Sequence, residues 1–381
     1  MPLRILSVFG TRPEAIKMAP LVKALEADND FTSLVAVTAQ HREMLDQVLE
    51  LFEIKPDYDL DIMSPNQDLF DVTSKALLGL RDVIREAKPD ALLVHGDTTT
   101  CLAGALAGFY EGIPVGHVEA GLRSGDMKAP FPEEANRALV GRIASLHFSP
   151  TASSEQNLLR ENTDPNNIVV TGNTVIDALL SISERLKSFP DNYWLEALSD
   201  NVAGKILDRS GKFILITGHR RENFGQGFLD LCEALHTLAT QHPDWLFVYP
   251  VHLNPNVQKP VKKILGDTPN IVLTEPVSYL PFTWLLNQCD LVITDSGGIQ
   301  EEAPSLGKPV LVTREVTERP EAVDAGTVKL VGTNKQLIFN TVNSLFSDSD
   351  TYNSMSKAIN PYGDGKACPR ILKRLKQYFN A

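Results

Sequence analysis

The stretch DLVITDSGGIQEEAPSLGKPVLVTREVTER, residues 290–319, decides the fold. Its apolar run Leu291-Val292-Ile293 breaks off at Thr294-Asp295-Ser296. Gly297 and Gly298 then hand the chain to a short helical segment beginning Ile299-Gln300-Glu301-Glu302. Adjacent glycines between a strand and a helix let the backbone come close to a ligand. The free N–H groups of the helix start can hold an anion, typically phosphate. Pro304 and Gly307 keep the helix short, and Lys308-Pro309-Val310-Leu311-Val312 starts the next strand. An ordinary glycine-containing βα turn has the same local sequence, so the choice depends on the remaining motifs.

The same alternation runs outward in both directions. Short apolar runs at 4–9, 34–38, 91–94, 113–118, 147–149 and 168–170 predict strands, and 69–84 has helical periodicity. A second series of runs lies at 213–217, 246–251, 271–273, 291–294, 310–313 and 329–331. Strands alternating with helices imply parallel sheets with right-handed crossovers, which bind ligands at the carboxyl ends of their strands. Polar clusters fall at those ends: Arg12 with Lys17, Asp97 in HGDTTT, Glu119 in HVEAGLR and His219 in GHRREN.

A chain of 381 residues suggests two domains. Gly172-Asn173-Thr174 breaks the first series, and 188–210 is polar without a clear strand. The expected domains are 1–172, joined by a C-terminal helix in 361–381, and 173–360. The basic amphipathic stretch at 368–379 suits a helix packing back on a domain better than one lying on a membrane surface. The net charge of −12 argues against a nucleic-acid partner. Cys101, Cys232, Cys289 and Cys368 are far apart without a CxxC pair, as expected of reduced thiols in the cytoplasm. No signal peptide or membrane span is recognisable.

Several chemistries lack their signatures. There is no G-x-G-x-x-G after a strand, no P-loop, no H-E-x-x-H and no G-x-S-x-G, so neither a dinucleotide cofactor nor a metal is expected. Asp57, Asp59 and Asp61 in DYDLD read as an exposed loop or edge strand. Three loop carboxylates remain, Asp97, Glu119 and Glu133, with Arg12, Lys17, His219, Arg220 and Arg221 to oppose them. Carboxylates sharing a site can divide acid and base roles when their environments separate their pKa values. Each has a bland alternative: Asp97 as an N-cap, Glu119 as a partner for Arg123, Glu133 as a first-turn charge, His219 as a core histidine.

The runs GTRPEAIKMAP, AQHREMLDQVL, HGDTTT, HVEAGLRSGD, PFPEEANR, TGNTVIDAL, TGHRRENFG, SGGIQEEAPSLGKPVLV and TERPEA, in this order, resemble the non-hydrolysing UDP-N-acetylglucosamine 2-epimerases. The resemblance implies an α/β fold of two Rossmann-like domains facing a cleft, the glycosyltransferase-B type. It also implies reversible epimerisation of UDP-GlcNAc to UDP-ManNAc through UDP and 2-acetamidoglucal, without a cofactor. By matching motifs, Asp97, Glu119 and Glu133 are proton-transfer candidates, and His219 works at the diphosphate or leaving oxygen. Arg12 and Lys17 line the sugar-phosphate side. Ser296, Gly297 and Gly298 hold phosphate, Glu302 binds ribose hydroxyls, Phe282 sits by uracil and Arg319 completes the nucleotide site. Val277 stands where relatives commonly have a polar residue, which leaves a backbone contact to uracil. Gln40, His41 and Glu43 fall where some relatives bind a second UDP-GlcNAc as activator, although those relatives have Gln at the position of Glu43. A homodimer and a role in envelope polysaccharide synthesis are also family expectations. A glycosyltransferase of the same fold, a hydrolysing epimerase and a UDP-sugar sensor remain the alternatives.

Overall fold

The computed structural model describes residues 1–39, 42–64 and 66–380. Two parallel sheets account for the two series of apolar runs. The first contains β1 (Leu3–Phe9), β2 (Phe31–Val37), β3 (Tyr58–Asp59), β4 (Ala91–His95), β5 (Val115–Val118), β6 (Leu146–Ser149) and β7 (Ile168–Val170). Their spatial order is β3-β2-β1-β4-β5-β6-β7, so the winding direction reverses between β1 and β4. The strand expected from residue 113 begins at Val115, because Pro114 has no N–H to give a ladder. The aspartates of DYDLD fall on and beside the two-residue edge strand β3.

The second sheet contains β8 (Phe213–Thr217), β9 (Leu246–Pro250), β10 (Ile271–Thr274), β11 (Leu291–Thr294), β12 (Val310–Val312) and β13 (Val328–Leu330). It is ordered β10-β9-β8-β11-β12-β13, with its reversal between β8 and β11. Polar residues at 188–210 carry no strand; helix Asp191–Leu198 occupies much of that stretch. Trp194 on that helix stacks on Trp284 of helix Tyr279–Gln288, with ring centroids 5.0 Å apart.

The chain divides into a unit of Met1–Ala178 with Tyr362–Ala381, and a unit of Leu179–Pro361. The dividing point lies inside helix Thr174–Leu186. The C-terminal helix Ala367–Phe379 buries Ile371, Leu372 and Leu375. Its first N–H groups, on Ala367 and Cys368, donate to the Asp177 carboxylate at 3.1 and 2.9 Å, which caps a helix lacking a side-chain cap of its own. Lys376 in its last turn reaches Asp28 at 2.8 Å and Asp30 at 2.6 Å. Among the described residues, no helix is long and apolar enough to cross a membrane.

Each core follows from the pattern. In the first unit, Leu6, Val8, Leu92 and Val94 from the central strands pack against Leu80, Ile84, Cys101 and Ala105 of two helices. In the second, Ile214, Ile216, Leu291 and Ile293 meet Leu231, Leu235 and Leu238. All four cysteines are buried and free.

Gly121 closes the turn after β5 at φ +91°, and a Cβ there would lie 2.2 Å from the Ser154 carbonyl oxygen. Both the dihedral and the backbone contact exclude a side chain. Gly121→Ala is therefore expected to destabilise the first unit by about 1–3 kcal/mol. The drop is measurable as a lower urea midpoint at unchanged slope.

Candidate active site

The first unit gathers its chemistry where the winding reverses. After β1, Gly10 passes so close to its neighbours that a Cβ would stand 2.0 Å from Thr38 Oγ1 and 2.7 Å from Thr100 Oγ1. Thr11 caps helix Arg12–Glu26 in a capping box with Glu14. The Glu14 carboxylate accepts from Gly10 N at 3.1 Å, Thr11 N at 2.9 Å, Thr11 Oγ1 at 2.8 Å and Thr98 Oγ1 at 2.6 Å. Thr98 in turn caps helix Thr99–Tyr110 after β4. Burial raises the Glu14 carboxyl above its usual range even against those four donors.

Glu119 follows β5 in the left-handed region, at φ 63°. A non-glycine residue there costs on the order of 1–3 kcal/mol and persists only when its surroundings hold it. Here they do: Glu119 pairs with Lys17 from the first helix and accepts from Asn173 Nδ2 at 2.7 Å. His95, the last residue of β4, has Nε2 3.8 Å from the same carboxylate oxygen. Burial pushes the His95 imidazole down to about 4, against the pull of Glu119, so it is neutral near pH 7. His117 lies behind it, with Nε2 2.7 Å from the Gly96 carbonyl.

Asp97 sits in the turn between Gly96 and Thr98. Its carboxylate accepts from Arg137 Nη2 at 2.6 Å and its carbonyl from Asn136 Nδ2 at 2.8 Å. The other side of Arg137 reaches Glu134, which also accepts from Ser124 N and Gly125 N, each at 3.0 Å. Burial alone would raise the Glu134 carboxyl; these donors outweigh it and hold it below the usual range. Helix Glu133–Ile143 is thereby tied to the turns after both β4 and β5. Its first residue, Glu133, has a buried Oε2 without a hydrogen-bond partner among the described residues. A Cβ on Gly96 would stand 3.6 Å from Glu119 Oε1, so the turn bearing Asp97 and the carboxyl of Glu119 adjoin.

In the second unit, Asp295 follows β11 and is fully buried. Its Oδ2 accepts from the backbone N–H groups of His219 and Arg220, each at 2.8 Å. His219 Nδ1 is 3.5 Å from Oδ1, and the His219 ring stacks on His252 with centroids 5.5 Å apart. The His219 side chain is 44% exposed, and the partial loss of water around it, with His252 and Arg220, holds its pKa below the usual value, although Asp295 pulls the other way. The two glycines after Ser296 differ in environment. A Cβ on Gly297 would press to 3.2 Å on the Arg319 guanidinium carbon, whereas one on Gly298 would meet nothing within 4 Å. Arg319 Nε donates to Glu301 at 2.8 Å, and the Tyr279 hydroxyl donates to Glu302 at 2.8 Å.

A family model described as UDP-N-acetylglucosamine 2-epimerase matches residues 23–376. The chain belongs to this family. It is 60% identical over 378 residues to a UDP-N-acetylglucosamine 2-epimerase of Yersinia pestis, covering 99% of each chain. A crystal structure of UDP-GlcNAc 2-epimerase from Neisseria meningitidis bound to UDP-GlcNAc superposes with a TM-score of 0.88 at 51% identity, covering 98% of this chain and 100% of that one. A structure of S. aureus MnaA with UDP superposes with a TM-score of 0.85 at 51% identity, covering 99% and 97%. The two-sheet α/β fold is the glycosyltransferase-B type.

Within this epimerase fold the residues expected from sequence are placed as follows. Lys17 and Glu119 meet directly, and Asp97 adjoins them. The N-cap after β4 is Thr98 rather than Asp97, and Arg123 pairs with Glu161 rather than with Glu119, so neither bland alternative describes these carboxylates. Arg12 is exposed at the first position of its helix. His219, Ser296, Gly297, Gly298, Glu302 and Arg319 all follow β8, β11 or β12. Val277 and Phe282 are half-buried before and on helix Tyr279–Gln288. Glu43 lies exposed in the first turn of helix Arg42–Leu51; Gln40 and His41 lie outside the described residues.

Sequence reasoning passed over Glu14, His95, Arg137, Asn173, His252 and Asp295. The T-x-x-E spacing of Thr11 and Glu14 is a capping-box signal that marks Glu14 without a structure. Arg137 and Asn173 reach their partners across 40 and 54 residues, which no local pattern encodes. Replacing Glu14 by Ala removes one acceptor from four donors. It is expected to cost about 2–4 kcal/mol of stability, read as a lower thermal midpoint, with Glu14→Gln losing less.

Proposed function

We propose that this protein interconverts UDP-GlcNAc and UDP-ManNAc by reversible epimerisation at C2. The observation that carries the proposal is the end-to-end match to UDP-N-acetylglucosamine 2-epimerases, together with the Lys17–Glu119 pair beside the turn that bears Asp97. Substrate and product are at the same oxidation level, so no external hydride acceptor is required. The C2 hydrogen is not beside a carbonyl and becomes acidic only as the C1–O bond to UDP breaks. That bond's electrons leave with the diphosphate, the C2 proton passes to a carboxylate, and C1 and C2 become doubly bonded in 2-acetamidoglucal. UDP then adds back to C1 while a proton reaches C2 from the opposite face.

We assign the proton transfers to Asp97, Glu119 and Glu133. A base needs a charged form that its surroundings tolerate and a neutral form within reach. Lys17 and Asn173 bind the Glu119 carboxylate, and Arg137 binds that of Asp97. Glu133 has the opposite setting, a buried oxygen without a donor, which suits a proton carrier or a hydroxyl acceptor. His219 and the start of helix Gly297–Glu302, with Ser296, Gly297 and Gly298, hold the diphosphate. Stabilising the departing charge there is the largest electrostatic demand of the reaction. Glu302 takes ribose hydroxyls, Arg319 supports the same nucleotide site from its Glu301 anchor, and Phe282 and the Val277 backbone take uracil. Arg12 serves the sugar-phosphate side. Gln40, His41 and Glu43 are proposed as an activator site for a second UDP-GlcNAc.

The protein is further proposed to act in the cytoplasm, supplying UDP-ManNAc for envelope polysaccharide, and to work as a homodimer. Phe70, Leu78, Phe109, Tyr110 and Leu139, on three helices of the first unit, are large apolar side chains left exposed, which supports a self-association surface. Phe109→Asp is expected to shift the sedimentation coefficient toward the monomer; an unchanged coefficient excludes Phe109 from the interface.

Incubation with UDP-GlcNAc in D2O is expected to give UDP-ManNAc with deuterium at C2, followed by NMR. Release of UDP without UDP-ManNAc, or turnover only after an acceptor is added, would overturn the proposal. Asp97→Asn is expected to lower kcat by at least about a hundredfold with UDP binding retained by calorimetry. Arg319→Ala is expected to weaken UDP binding instead.

A further inference from the structure

We propose that Asp295 is a positioning residue that fixes the His219 imidazole with its proton on Nδ1, so that proton gain and loss at His219 occur on Nε2. The inference rests on the role given to His219 above and deepens it.

The observation is an asymmetry in one buried carboxylate. Oδ2 of Asp295 accepts from the His219 and Arg220 N–H groups, both at 2.8 Å, and from Asn223 Nδ2 at 3.5 Å. Oδ1 is equally buried and has no hydrogen-bond partner among the described residues. An unsatisfied buried carboxylate oxygen is expensive to keep. The ring nitrogen facing it is His219 Nδ1, 3.5 Å away. Hydrogen bonds of this kind are commonly long before the substrate is bound and shorten in the complex. A carboxylate oxygen only accepts, so Nδ1 must carry the proton in the neutral ring and in the imidazolium alike. The second nitrogen, Nε2, is left to exchange a proton or to donate to an oxygen of the diphosphate.

Simple support of the backbone turn does not explain the choice of Asp. Any fixed acceptor satisfies two N–H groups, and an Asn side chain does so through its oxygen. Those same N–H groups then dictate how Asn sits. Its oxygen must face them, so its NH2 faces His219 Nδ1, and a donor there demands the opposite tautomer. Asp295→Asn thus preserves the turn and reverses the ring. The groups acting on His219 are Asp295, which favours the charged ring, and His252 and Arg220, which oppose it.

The test is 15N NMR of the full-length protein, with the His219 signals assigned by their loss in His219→Gln. The native protein is expected to carry its neutral-ring proton on Nδ1, and Asp295→Asn on Nε2. The same tautomer in both overturns the proposal, whatever the activity. The pH at which His219 titrates is expected to fall in Asp295→Asn and to rise in His252→Gln; no fall in Asp295→Asn also overturns it. Kinetically, Asp295→Asn is expected to lower kcat on the order of a hundredfold with KM and UDP affinity little changed. On a His219→Gln background the same substitution is expected to cost nothing further. Equal losses in both backgrounds mean that Asp295 acts on structure and not through His219. If His219→Gln itself turns over normally, the leaving-oxygen role fails, while the tautomer measurement still judges the positioning.

Discussion

In each sheet a buried carboxylate ties together the turns that follow the two central strands. In the first unit it is Glu14, joining the turn after β1 to Thr98 after β4. In the second it is Asp295, after β11, joined to the turn after β8. Both lie where the winding direction reverses and neighbouring helices diverge. The N–H groups of Gly10, Thr11, His219 and Arg220 lie beyond the ends of β1 and β8 and need acceptors there. Two side-chain carboxylates, Glu14 and Asp295, provide them and tie the turns together.

The first unit places a strained residue on this base. Glu119 is held at an unfavourable backbone angle by Lys17 and Asn173, which come from the beginning and the end of the unit. Asp97 is held by Arg137, whose other contact is Glu134. Glu119 and Asp97 each have their own cation, so these neighbouring negative charges can coexist. The neutral His95 adds a polar surface beside them without adding charge.

Much of this was legible in the residues. The apolar runs and their spacing gave the two parallel sheets, and the polar clusters at strand ends marked His219, Asp97 and Glu119. Asp295 stood in the opening motif but read as punctuation between strand and helix, because its partners lie 75 and 76 residues away. The paired glycines also looked equivalent. Only packing separates Gly297, which Arg319 presses upon, from Gly298, which is open. What sequence left out was pairing across the fold, where geometry and not composition decides which charge meets which.

The C-terminal helix carries a consequence for how the chain is made. The second unit is one continuous segment, Leu179–Pro361, whereas the first needs Tyr362–Ala381 as well as Met1–Ala178. Synthesis proceeds from the N-terminus, and domains generally fold as units. The later-made unit therefore has all its residues before the earlier-made one does. The earlier-made one lacks the donors that helix Ala367–Phe379 brings to Asp177, Asp28 and Asp30 until that helix is made. The first unit is thus completed by residues made after the whole of the second.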